Sequence, residues 1–102
     1  MKKVLVMEGV ERETLSVGKN LMVVRITFKK GAEVPFHTHE HEQSSYIQSG
    51  CLKLLIDEEE IVLTEGMSAI VPPNAKHKAI ALKDTVDINS FTPVREDYLG
   101  VV

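Results

Sequence analysis

The sequence predicts an all-β domain, a sandwich or barrel of short strands, and three observations lead there. Runs rich in β-branched residues recur along the chain. Turn signals separate them at intervals of about 8–12 residues, the spacing of sandwiches and barrels. No stretch has the apolar period of a helix, so none is expected.

The elements follow in order. A strand is expected around Val4, Leu5 and Val6. Leu21 to Phe28 is a second β-type run, and Lys29-Lys30-Gly31 stops it. Ala32 to Pro35 forms a short extended piece. Ser44 to Ser49 ends at Gly50, and Cys51 to Ile56 ends at the acidic turn Asp57–Glu60. Ile61 to Leu63 is stopped by Thr64-Glu65-Gly66. Ser68 to Val71 runs into Pro72-Pro73, which no central strand accommodates. Lys76 to Leu82 and Thr85 to Phe91 complete the set, with Lys83-Asp84 as the turn between them. No linker, repeat or low-complexity segment interrupts 102 residues, so residues 1–102 are expected to form a single domain.

Composition narrows the function classes. A formal net charge of −3 and a pI near 5.8 argue against a nucleic-acid surface. The apolar runs are too short to span a bilayer. The lone cysteine, Cys51, has no intrachain partner and reads as a small packed side chain. A cytoplasmic location fits these features.

The histidines carry the chemistry. His37, His39 and His41 fall within five residues, and His77 follows Pro72-Pro73-Asn74-Ala75-Lys76. Side chains at i and i+2 of a strand share a face, so His37 and His39 are expected to point together. A histidine from a distant strand would then close a site around one ion, imidazole being the commonest protein metal ligand.

The spacing around them is specific. The first motif reads Gly31, five residues, His37-x-His39, three residues, Gln43, six residues, Gly50. The second reads Gly66, five residues, Pro72-x-Asn74, two residues, His77. Together they resemble the paired motifs of the cupin superfamily, in the short spacing of small single-domain bacterial cupins. That resemblance implies a jelly-roll β-barrel, the double-stranded β-helix. It also implies a divalent metal held by His37, His39, Gln43 and His77. Three positions depart from the usual pattern: Gln43 replaces glutamate, Asn74 replaces glycine and Ala81 replaces asparagine. Asn74 suits a left-handed turn. Three imidazoles and an amide, all neutral, would leave the ion its full charge and make it a stronger Lewis acid. Nickel, manganese, iron, copper and zinc all remain open, because the ligand types do not choose among them.

Strand parity sketches the surroundings. If His77 points inward, so do Ala79 and Ala81; Ser45 and Ile47 share the inward side with Gln43. His41 is placed near the mouth, as a group acting on substrate or as a surface histidine.

The tail Phe91-Thr92-Pro93-Val94-Arg95-Glu96-Asp97-Tyr98-Leu99 is similar to that of the pectin-degradation cupins, which convert unsaturated monouronates to linear keto sugars. The resemblance assigns Phe91 and Arg95 to the substrate site, and Asn89 falls where that group has an aspartate. Arg95 suits bidentate capture of a carboxylate; a surface ion pair with Glu96 or Asp97 is its other reading. Phe91 suits an apolar wall. His41, Glu42 and Tyr46 are candidates for the missing acid.

The reading is therefore a metal-binding cupin acting on a small anionic sugar acid, as an isomerase of the ketonising kind. A metal-dependent dioxygenase and a non-catalytic ligand-binding module are the alternatives. A homodimer is expected, because an exposed edge strand otherwise invites aggregation. No nucleic-acid or membrane partner is expected.

Overall fold

A computed structural model describes residues 3–99. Among the described residues ten strands form two antiparallel sheets. In chain order they are β1 (Lys3–Met7), β2 (Val10–Val17), β3 (Met22–Phe28), β4 (Glu33–His37) and β5 (Glu42–Ser49). Then come β6 (Cys51–Ile56), β7 (Glu59–Thr64), β8 (Ser68–Val71), β9 (His77–Ala81) and β10 (Thr85–Thr92). One sheet has the order β1-β2-β3-β10-β5-β8, the other β4-β9-β6-β7. The chain crosses repeatedly between them, which is the jelly-roll arrangement expected from the sequence.

The period-two alternation is what makes these segments strands. In β3 the inward residues Met22, Val24, Ile26 and Phe28 are buried. They meet Leu52, Leu54 and Leu63 of the opposite sheet in one apolar core. Burying each such side chain contributes about 1.5–3 kcal/mol. Ser45 and Ile47 of β5 are fully buried on the same side as Gln43, as parity required.

Two turns depend on their residue types. A Cβ on Gly50, at φ +97°, would sit only 2.3 Å from the Asp84 carbonyl oxygen, so the β5–β6 turn accepts only glycine. Asn74 adopts φ 66°, the left-handed geometry its type tolerates.

Two expectations need correcting. β2 was not foreseen, because its sequence VERETLSV carries three charges and no apolar run. The chain also ends in one helical turn, α1 (Glu96–Leu99), where no helix was expected. It follows the loop that presents Arg95, and Tyr98 N–H donates to the Arg95 carbonyl at 3.0 Å.

Candidate metal centre and cavity

The site lies where the two sheets approach. His37 is the last residue of β4 and pairs across to His77, the first residue of β9. Their ring centroids are 4.1 Å apart. His39 was expected to share a strand face with His37, but β4 ends at His37 and His39 lies in the turn beyond it. Backbone bonding, not pleating, brings its ring in: the Asn74 N–H donates to the His39 carbonyl at 2.8 Å. The turn before β9 is thereby tied to the turn after β4. The His39 and His77 centroids are 4.7 Å apart.

The hydrogen bonds of the rings fix their tautomers. Each Nδ1 faces a backbone carbonyl: His37 that of Pro35 at 2.9 Å, His39 that of His41 at 3.0 Å, His77 that of Ala75 at 2.8 Å. A carbonyl only accepts, so each Nδ1 carries the hydrogen and, in the neutral ring, each Nε2 keeps a bare lone pair. Such backbone partners orient imidazoles for metal binding. One ligand nitrogen from each ring lies within 4.8 Å of the others. His77 Nε2 is buried with no protein partner.

Gln43 completes the cluster. Its amide nitrogen donates to Ser45 Oγ at 3.2 Å, which turns Oε1 toward His39 Nε2, 3.0 Å away. With His39 Nδ1 already donating, that pair is two acceptors face to face. A shared cation satisfies both, and the orphaned His77 Nε2 as well. Four neutral donors of this kind fit a divalent transition metal.

The local electrostatics favour the neutral forms of His39 and His77. Burial, then the charge of Arg95, lowers the His39 pKa to about 4. Burial likewise lowers that of His77.

A cavity of about 80 Å³, partly open to solvent, runs from these ligands into the barrel. Ala79 lines it, as parity predicted, together with Asn89, Phe91 and Arg95. Ala81 is buried within the apolar core. Phe91 is buried, edge-on to His39 at 5.7 Å and to Tyr98 at 5.7 Å. Arg95 combines both readings made for it. It lines the cavity and is clamped by Asp97, with Nε to Oδ1 at 3.0 Å and an η nitrogen to Oδ2 at 2.8 Å. Burial works against its charge, but Asp97 and Tyr98 more than offset this and hold its pKa up.

His41 stands beside the cluster, 5.6 Å from the His39 ring, with Nδ1 buried and unpartnered. It is close enough to Asp97 to act on its charge. Glu42 and Tyr46 take the outward parity of β5 and are exposed, so neither supplies the cavity with an acid.

Three polar residues of the cavity were not foreseen. Asp87 lies on the inward face of β10, 2% exposed, and lines the cavity with Asn89. Arg12 of β2 and Tyr98 line it too, with the Arg12 guanidinium 3.8 Å and that of Arg95 4.2 Å from the Tyr98 ring centre. Parity alone could have found Asp87, two residues before Asn89 and four before Phe91. Arg12 sat in a strand the sequence did not disclose.

Comparison with known proteins agrees with this fold. The Cupin domain family matches residues 24–88. Pectin degradation protein KdgF of Dickeya dadantii (strain 3937) is 31% identical over 94 residues, covering 90% of this chain and 86% of that protein. The structure of KdgF from Halomonas sp. superposes with a TM-score of 0.91 at 30% identity, over 96% of this chain and 91% of the other. An RmlC-like cupin from Shewanella frigidimarina NCIMB 400 gives 0.90 at 37% identity, over 95% and 87%.

Proposed function

The chain belongs to the cupin domain family, and on that premise we propose that it is a metal-dependent isomerase of small sugar acids, ketonising an unsaturated monouronate. The observation that carries the reading is one cavity with two complementary features. Bare imidazole nitrogens and an amide oxygen converge on it, and the Arg95 guanidinium lines the same cavity. The likeness to two proteins named for pectin degradation or as KdgF supports the same substrate class.

His37, His39, Gln43 and His77 are the proposed ligands of one divalent ion: nickel, manganese, iron, copper or zinc. When bound, that ion supplies Lewis-acid polarisation of a substrate oxygen. The remaining work falls to the protein. Arg95, held flat by Asp97, binds the uronate carboxylate. Phe91 walls the sugar and keeps water from that side. His41 is proposed to act at the rim, where its free Nδ1 can take a hydrogen bond. Asn89 lies on the same face as Phe91 and positions substrate hydroxyls through its amide.

A non-catalytic binding module is the second reading, favoured by Asn89, because an amide exchanges no proton at neutral pH. One experiment separates the two. Protein purified without added metal is analysed for its metals, then assayed on an unsaturated monouronate for loss of the carbon–carbon double bond, with oxygen uptake followed in parallel. Near-stoichiometric metal and turnover without oxygen uptake support the isomerase. Oxygen uptake makes it a dioxygenase. Thermal stabilisation by a uronate without product makes it a binding module.

The same proposal includes a cytoplasmic homodimer. Leu5, 69% exposed on the edge strand β1, suits an interface between two copies. Among the described residues no helix is long and apolar enough to cross a membrane.

A further inference from the structure

Ketonisation needs a group that gives a proton to carbon and recovers one from oxygen. The polar side chains lining the cavity are few. His37, Gln43 and His77 are committed to the ion, Asn89 is an amide, and Arg12 and Arg95 keep their protons. The Tyr98 phenol interacts with Arg95. The remaining group is a carboxyl. We propose that Asp87 is the acid–base residue of this cavity, acting on the substrate in place of residue 89.

The geometry argues for it independently of the sequence pattern. Asp87, Asn89 and Phe91 occupy successive inward positions of β10. Asp87 lies opposite Ile26 of β3 and Ile47 of β5, so no charge neutralises it from either neighbouring strand. The titratable and charged groups facing the same cavity are His37 on β4, His77 on β9, Arg12 on β2, Arg95 after β10 and Tyr98 on α1. None of them hydrogen-bonds or ion-pairs with the Asp87 carboxyl among the described residues. Its partners are Ser45 Oγ at 3.3 Å and the Asn89 amide.

That amide contact supports the Asp87 carboxylate. The Asn89 amide nitrogen lies 2.9 and 3.1 Å from the two Asp87 oxygens and 2.8 Å from Ser45 Oγ, and it donates to this group of acceptors. Asn89 therefore holds in place a carboxyl whose proton it cannot itself carry. Burial raises the Asp87 pKa to about 7, against partial opposition from Ser45, so both states are accessible near neutrality.

The step balances within the substrate and this carboxyl. Once the ring has opened, its hemiacetal carbon–oxygen bond breaking to leave an aldehyde and an enol, the enol carbon takes the Asp87 proton as the double-bond electron pair becomes the new carbon–hydrogen bond. The enol oxygen–hydrogen pair becomes the second bond of the carbonyl, and the proton it releases returns to the Asp87 carboxylate. Nothing is oxidised or consumed.

This inference rests on the uronate reading, and its test separates the two. Wild type, Asp87→Asn and the exchanged pair Asp87→Asn/Asn89→Asp are compared for turnover of an unsaturated monouronate across pH, with metal content and melting temperature measured on each. The expected result is a fall of about 100-fold or more in kcat for Asp87→Asn at unchanged metal content. The limb of the pH profile assigned to Asp87 disappears with it, and the exchanged pair recovers turnover. A purely structural role would move melting temperature and leave the shape of the profile intact. Wild-type turnover matched by Asp87→Asn overturns the assignment alone, whereas a wild type with no turnover overturns the uronate reading and this inference with it. If Asp87→Asn does not fold, Asp87→Ser decides: folded, metal-loaded and as active as wild type, it overturns the assignment.

Discussion

Strands β3 and β10 are hydrogen-bonded neighbours with the same alternation of buried and less buried residues, yet their inward faces differ in kind. β3 presents Met22, Val24, Ile26 and Phe28, all apolar. β10 presents Thr85, Asp87, Asn89 and finally Phe91. In register, Asp87 lies opposite Ile26, Asn89 opposite Val24 and Phe91 opposite Met22. Two strands with equal claim to the core have divided it: one supplies cohesion, the other accepts the cost of burying polar groups. Both faces line the cavity, β3 with the apolar Ile26 and Phe28, β10 with Asp87, Asn89 and Phe91. A buried polar row therefore marks function where a buried apolar row marks stability.

The largest effects should come from the site that β10 faces. His77→Ala is expected to remove the bound metal almost completely and to abolish turnover, while the melting temperature of metal-free protein changes little by comparison. Elemental analysis beside the uronate assay checks this; a variant that keeps stoichiometric metal would break the assignment of His77 as a ligand. Arg95→Ala comes next. Loss of a charge-assisted bond of about 1.5–3 kcal/mol predicts a fall in kcat/KM of about 10- to 150-fold, carried mostly by KM. An equal fall in kcat with KM unchanged would show that Arg95 acts on the transition state and not on the bound carboxylate.

How much of this contrast was legible in the sequence depends on the signal each residue gives. β3 was readable because Met-Val-Val-Arg-Ile-Thr-Phe is rich in β-branched and apolar residues. The histidines and Gln43 were readable through spacing, and Asn74 through its turn geometry, now seen at φ 66°. β2 was hidden because its inward face carries Arg12, which looks like a surface residue until Tyr98 is seen stacked against it. Asp87 was hidden for a different reason. Aspartate is ordinarily solvent-exposed, and only the parity running back from Phe91 through Asn89 turns it inward. His39 shows the opposite failure: parity predicted its direction, but the strand had already ended and a bond from Asn74 did the positioning.

The third prediction uses pH to isolate the polar row. In folded protein Asp87 holds its proton to about pH 7, against an ordinary value of 3.8. Between those values the folded state binds more protons than the unfolded one, so the contribution of Asp87 to stability falls as pH rises. It is least costly below 3.8 and reaches its full penalty, on the order of a few kcal/mol, above about 7. His39 and His77 work the other way. Their lowered values favour stability rising with pH, for His39 between about 4 and 6.5. Those two terms are common to wild type and Asp87→Asn, so they cancel in the difference. Melting curves of chelator-treated protein should therefore show Asp87→Asn gaining on wild type from pH 4 to pH 7 and holding level above. A constant difference would mean that Asp87 is ionised throughout and that burial does not hold its proton.

The smallest effect tests the other side of the comparison. Val24 is fully buried, does not line the cavity, and lies directly opposite Asn89. Val24→Ala removes two methyl groups' worth of packing from the apolar row and should lower stability by about 2 kcal/mol, read as a shift in the denaturation midpoint. If the rows are independent in function, kcat/KM and metal content stay at wild-type values when assayed well below the melting temperature. If turnover falls instead, the backbone of β10 depends on β3 packing to hold Asn89 and Asp87 in register. Cohesion and chemistry would then be one property of the paired strands, because a change in one pleated row reaches the other through the hydrogen bonds they share.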